Sequence, residues 1–191
     1  MQEEALAIFR RCGSPVQIAY TLFHLGHFSG FVQCNYPTAH KLYREGLDVL
    51  RAVGHTEGIT HGMANLGTAL AGMGKARQAA PLIGESLQRY CEMRSLSNME
   101  LSLRRAAAVA AGLGMPKPAL RLAGASKKHR LALGVSEPEV FLQAYARMLE
   151  PARRRLDEAS QARLQAEGAA WSWDEAVMVA LKMLSEVKEE L

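Results

Sequence analysis

His24 and His27 stand three residues apart, a spacing that puts two imidazoles on one face of a helix where a divalent cation could bridge them. Cys34 follows seven residues after His27 and could add a third ligand. No carboxylate lies close in sequence, and a short pair on a helix face more often serves packing or a solvated surface. The pattern therefore points away from a metal centre, and no cofactor is implied.

Nucleophilic chemistry finds no better footing. No serine or cysteine sits in a strained Gly-x-Ser-x-Gly turn, and paired carboxylates occur at the Glu189-Glu190 end and at helix-start positions such as Asp174-Glu175. Asp174-Glu175 is explained by a helix N-terminus, where acidic groups meet the positive end of the dipole. The expectation is a protein that is not an enzyme. Basic groups are more numerous: Arg104-Arg105, Lys127-Lys128-His129-Arg130 and Arg153-Arg154-Arg155 could form a phosphate-tracking surface. The aromatics needed to stack on bases lie mainly between Phe9 and Tyr43, away from those clusters. Direct nucleic-acid binding through the basic third repeat is the alternative function, with a solvated or internally paired face as the default.

Such residues must be positioned by a scaffold, and the scaffold repeats itself every 40 residues. Gly74-x4-Ala79-x2-Leu82-x-Gly84 returns as Gly114-x4-Ala119-x2-Leu122-x-Gly124. One copy earlier, Ala39-x2-Leu42-x2-Glu45-x-Leu47 aligns with Ala79-x2-Leu82-x2-Glu85-x-Leu87. A fixed period of this length signals stacked helical pairs. Composition agrees: 49% apolar, 22% charged and only 6% aromatic, with Ala and Leu abundant, which favours a folded all-α chain. Residues 97–136 carry a charge of +6 and residues 137–191 a charge of −4, so the two parts either attract each other or leave an anion-binding face. Three well-separated cysteines, Cys12, Cys34 and Cys91, predict free thiols in a reducing compartment, most of them buried. No apolar run reaches the roughly 20 residues needed to span a bilayer, so a cytoplasmic protein without membrane contact is expected.

Residues 1–15 match the second helix of a pair whose first helix is missing, so Met1 is expected to be a cut within a longer array, and the half-repeat a surface for self-association. Full repeats are expected over 16–56, 57–96 and 97–136. Ser14 before Pro15, Asn35 before Pro37 and a capping box at Ser97-x-x-Glu100 mark helix starts. After Ser136 the period stops. A helix from Glu137 that Pro151 ends or kinks, a second up to Gly168, and a third opened by the capping box Ser172-x-x-Glu175 form a helical cap over 137–191. One of Trp171 and Trp173 is expected to staple the last helix to the stack.

Within each repeat a large apolar residue precedes Leu-Gly (Leu22 with Leu25-Gly26; Met63 with Leu66-Gly67), and a small residue opens the second helix (Ala39, Ala79, Ala119). This resembles a tetratricopeptide-like pair, which implies a right-handed superhelix, or α-solenoid. The period exceeds the usual one for that family, and repeat one holds an extra residue between Gly26 and Ala39. The segments 47–54, 119–126 and 166–181 further resemble the C-terminal helical-repeat arm of bacterial STAND-type signalling ATPases and LuxR-type regulators. That resemblance implies a sensor for an inducer or a partner protein. The sequence has no Gly-x4-Gly-Lys-Ser/Thr loop and no clear helix-turn-helix, so only the sensor arm is represented.

In such pairs the first helices line the concave side. By repeat position Tyr20, Phe23, His27 and Phe31 fall there, followed by His61, Thr68 and Arg104. The set grades from aromatic to cationic, as suits a peptide or small molecule with an anionic end. The competing expectation is that Phe23 and Phe31 simply pack.

Overall fold

The structure, a computed structural model, describes residues 13–187 together with Ile8, Phe9 and Arg11. Most of the half-repeat expected over 1–15, Cys12, and the final residues 188–191 lie outside the described residues. From Pro15 onward the described chain is helical throughout, with no strand. The elements are α1 (Pro15–His27), a π-helical turn (Phe28–Val32), α2 (Tyr36–Ala52), α3 (Thr56–Gly72), α4 (Ala76–Glu92), α5 (Leu96–Gly112), α6 (Pro116–Ala132), α7 (Glu139–Arg153), α8 (Glu158–Ala169) and α9 (Trp173–Ser185). None is long and apolar enough to cross a membrane.

The underlying unit is 20 residues. Cys34, Gly54, Gly74, Arg94, Gly114 and Gly134 all adopt positive φ, and each follows a helix end. At every one the next amide bonds back to a carbonyl in the last turn: Asn35 to Ser29, His55 to Leu50, Lys75 to Leu70, Ser95 to Tyr90, Met115 to Ala110 and Val135 to Arg130. This is the left-handed C-terminal cap, in which glycine avoids the Cβ penalty. Four of the six positions hold glycine. Cys34 and Arg94 accept the strain, and Cys34 is exposed rather than buried as expected. The extra residue of repeat one is accommodated in the π turn, which lengthens the first helix by one residue.

Capping follows the sequence only in part. Asn35 and Ser172 cap through their side chains, and the Ser172–Glu175 box is reciprocal. Ser14 makes no side-chain cap. The box expected at Ser97 does not form: the cap lies two residues earlier, at Ser95, and the buried Glu100 pairs with Arg104 instead. Pro151 sits inside α7, two residues before its end.

Successive helices from α1 to α6 pack antiparallel against one another. The first helices of the pairs, α1, α3 and α5, also touch in order and form an inner layer. Small residues make this possible. From Gly62 to Leu70 and from Ser102 to Ala111 every residue is buried, because glycine, alanine and threonine let neighbours close in on all sides of α3 and α5. Outer helices are amphipathic instead, as in α4, where Ala79, Ala80, Ile83, Leu87 and Tyr90 form one buried stripe. Each fully buried leucine there and in α6 contributes about 1.5–3 kcal/mol.

After α7, which stays beside α5, residues 154–187 fold back over the repeats. One hydrophobic cluster runs from Ala64 through Leu122 to Leu184. α9 lies on α4, and α8 crosses α6 at two glycines: a Cβ on Gly124 would come within 2.8 Å of the Gln165 carbonyl carbon, and one on Gly168 within 2.5 Å of that of Arg121. α7 continues the inner layer beside α5 and reaches back to the π turn of repeat one.

Candidate functional site

The inner layer carries a polar cluster centred on Arg105, a buried residue of α5. Its Nε donates to Thr68 Oγ1 at 3.0 Å and its Nη2 to Asn65 Oδ1 at 3.1 Å. Thr68 Oγ1 itself donates to the Ala64 carbonyl, so it serves both ends of its bonding capacity. Asn65 Oδ1 also meets His27 Nε2 at 3.3 Å, and His61 Nδ1 meets Tyr90 Oη at 3.0 Å. Among the described residues no carboxylate comes within ion-pair distance of Arg105, and its Nη1 has no hydrogen-bond partner. A buried cation without a counter-charge is costly, so this arrangement is a feature to explain.

The groups around that cation stay neutral. Burial pulls His27 down to about 4, against the hydrogen bond it makes to Asn65 Oδ1, with the Arg105 charge adding to the fall. His61 is lowered by burial first and by Arg105 second. Burial pushes Tyr90 up to about 12. At neutral pH the cluster therefore offers one fixed charge and several neutral donors and acceptors, a recognition chemistry more than a proton-transfer one.

Beside it, Arg104 is held by two carboxylates. Its Nη2 reaches Glu100 Oε2 at 3.0 Å, its Nη1 bonds Glu137, and its guanidinium lies 4.9 Å from the ring centre of Tyr145. Glu100 also accepts from Ser126. Glu137 belongs to the link into α7, so Arg104 anchors the start of that helix to the inner layer.

α7 then covers this face. Phe141 meets the Phe31 ring edge-on at 5.1 Å between centroids, Tyr145 lies 5.5 Å from the same ring, and His27 stacks on Phe31 at 5.8 Å. Arg147 Nη2 approaches the Phe31 carbonyl at 3.4 Å. Phe31, Ala144 and Tyr145 form a small hydrophobic cluster of their own, separate from the main core.

Of the residues expected on the concave side, His27, Phe31, Thr68 and Arg104 come together around α7 and Arg105. Tyr20 pairs edge-on at 6.3 Å with His61, which joins the same cluster through Tyr90. Phe23 does not line this face. It is wedged among α1, α2 and α3, against Tyr43 and into the spaces left by Gly46 and Gly62. Sequence reasoning missed Asn65 and the α7 aromatics as part of the site, and weighed Arg105 only as part of the alternative nucleic-acid surface or of a solvated or internally paired face. A signal existed: Asn65 and Arg105 stand 40 residues apart, at the same repeat position in two helices whose following residues are rich in glycine and alanine.

The basic third repeat is also redistributed. Arg104 and Arg105 are 7% and 5% exposed and bonded internally, and His129 is buried under Trp173, its ring 3.9 Å away. Lys127 and Lys128 lie on the surface. Lys127, Lys128 and Arg130 border a cleft of about 670 Å³ between α6, α7 and α8. A second groove, about 1150 Å³ and largely apolar, runs between α4 and α9. His24 and His27 lie 6.4 Å apart between ring centres, and among the described residues no three of His, Cys, Asp and Glu gather to hold a metal ion.

Compared with known proteins, the chain matches no family, no curated sequence and no solved structure.

Proposed function

We propose that the chain is a non-enzymatic binding module of a regulatory protein. In this reading it is a tetratricopeptide-like, right-handed superhelix working in the cytoplasm, and the sensor arm of a signalling ATPase or transcription regulator. Its ligand is a protein, a peptide or a small-molecule inducer. The observation that carries the reading is the seating of α7. The inner face of the stack, where such repeats receive helices and peptides, is occupied by the chain's own helix through a small aromatic contact apart from the main core. Beneath it lies an arginine with unspent hydrogen-bonding capacity. A surface that holds one helix in this way is suited to exchange it for another ligand, because binding need only outcompete that local contact. Burial of Arg104 and Arg105 removes two of the cations that the nucleic-acid alternative relies on.

A labelled peptide of residues 137–153 tests this. It should bind the Phe141→Ala/Tyr145→Ala variant saturably, one to one, and the unaltered chain far more weakly, because the intact α7 competes in cis. A variant that keeps its helical circular dichroism and cooperative unfolding, yet binds no peptide, would contradict the reading.

A further inference from the structure

α7 has two working faces. Phe141 turns toward Phe31, Leu142, Ala146, Leu149 and Arg153 border the cleft shared with α6 and α8, and Tyr145 touches both. The volume of that cleft, about 670 Å³, falls in the range of small-molecule sites. Its composition is asymmetric. One wall is apolar, with Leu142, Tyr145 and Leu149, and Leu131 stands 63% exposed where α6 borders it.

Its charged lining is all cationic, beside the neutral Ser126 and Gln165, and no acidic residue lines the cleft. Arg104 is neutralised from behind by Glu100 and Glu137, and Arg153 bonds Glu150 at 3.2 Å. Lys127, Lys128 and Arg130 form no ion pair among the described residues, although Lys128 stands near enough to Glu175 to help lower that carboxyl. Lys128 donates to the Trp171 carbonyl, Arg130 reaches the Val135 carbonyl at 3.5 Å, and Lys127 has no partner. The buried Arg104 also borders the cleft, with its Nε left without a hydrogen-bond acceptor. The far wall is rigid, because Gly124 and Gly168 let α6 and α8 meet backbone to backbone.

We propose that this cleft binds a small amphiphilic anion, a carboxylate- or phosphate-headed molecule with a compact apolar body. The head is held by Lys127 and Arg130, and the body lies on Leu142, Tyr145 and Leu149. Because α7 forms one wall, occupancy bridges α6 to α7 and ties the helix down. This deepens the proposed function by naming a ligand class and its effect on α7, yet binding to the cleft stands or falls independently of peptide exchange on the inner face.

Decyl phosphate titrated into the full chain by calorimetry tests it, with decanol and inorganic phosphate as the separate halves. Saturable one-to-one binding is expected, with each half at least about 30-fold weaker. Lys127→Glu/Arg130→Glu, on side chains at the rim, should weaken binding at least about tenfold while leaving the melting temperature unchanged. Ala146→Trp should abolish binding by filling the cleft. Undiminished binding in the charge-reversed variant would overturn the site. So would phosphate binding as tightly as decyl phosphate, or binding to phosphatidylglycerol vesicles with none to monomeric decyl phosphate. Amide exchange in α7 should slow on binding; unchanged exchange in a chain that binds would overturn the coupling.

Discussion

The crossing of α8 over α6 gives a prediction whose size follows from geometry. Replacing Gly124 by alanine places a Cβ 2.8 Å from the Gln165 carbonyl carbon, and Gly168→Ala places one 2.5 Å from that of Arg121, where ordinary contact begins at 3.4 Å. Both obstacles are backbone, which cannot rotate aside as a side chain would, so the helices must part. Overpacking of this kind costs about 3–4 kcal/mol, offset by about 1 kcal/mol of improved helix propensity, for a net loss of about 2–3 kcal/mol per variant. The two sites share one crossing, so the separation that relieves the first also relieves the second. The double variant should therefore lose only about 1–2 kcal/mol, because each alanine adds its own helix propensity, against a sum of about 4–6 kcal/mol, a coupling of about 3–4 kcal/mol in a double-mutant cycle. Urea unfolding followed by circular dichroism measures all four proteins. Neutral or stabilised single variants, or a double variant equal to the sum, would refute the close-crossing argument.

Three further outcomes are expected. His27 is depressed to about 4 in the folded chain against about 6.5 unfolded, so the unfolded state binds its proton first; stability should be flat above pH 6.5 and fall by about 3 kcal/mol as pH drops toward 4, and His27→Gln should flatten part of that fall in urea titrations at several pH values. Arg94 occupies a left-handed cap position at φ 52 that glycine fills in the neighbouring units, so Arg94→Gly should raise stability by about 1 kcal/mol; an unchanged or lower urea midpoint would count against the strain. Arg105→Met removes a buried charge with no counter-ion while Asn65 keeps His27 and Thr68 keeps the Ala64 carbonyl, so the variant should be neutral to about 2 kcal/mol more stable in thermal unfolding, and a loss of more than 2 kcal/mol would show that the cation holds the inner layer together.

Much of the scaffold was legible because its punctuation is chemical. Gly74 and Gly114 mark left-handed caps that nearly demand glycine, and their separation exposed the 40-residue period. Arg94 and Cys34 hold the same backbone role without glycine, which hid the shorter unit of 20. Ser172 kept its capping box because Glu175 had no competing partner, whereas Glu100 was drawn from its expected box into the buried pair with Arg104. Repeat register brought His27, Phe31, Thr68 and Arg104 to one region, but it could not distinguish Phe23, which points into the core one turn away. The occupant of that region was not legible at all. Phe31 and Phe141 are brought together by the packing of α7 against the π turn of repeat one, a long-range outcome that no local pattern encodes.

The account rests on α7 lying against the inner face of repeat one. A nuclear Overhauser measurement on the selectively labelled chain, between the ring protons of Phe31 and Phe141, tests that contact directly. With centroids 5.1 Å apart the account predicts a clear cross-peak, lost in Tyr145→Ala/Arg147→Ala if those contacts hold the helix down. Absence of the cross-peak in the unaltered, folded chain would contradict it.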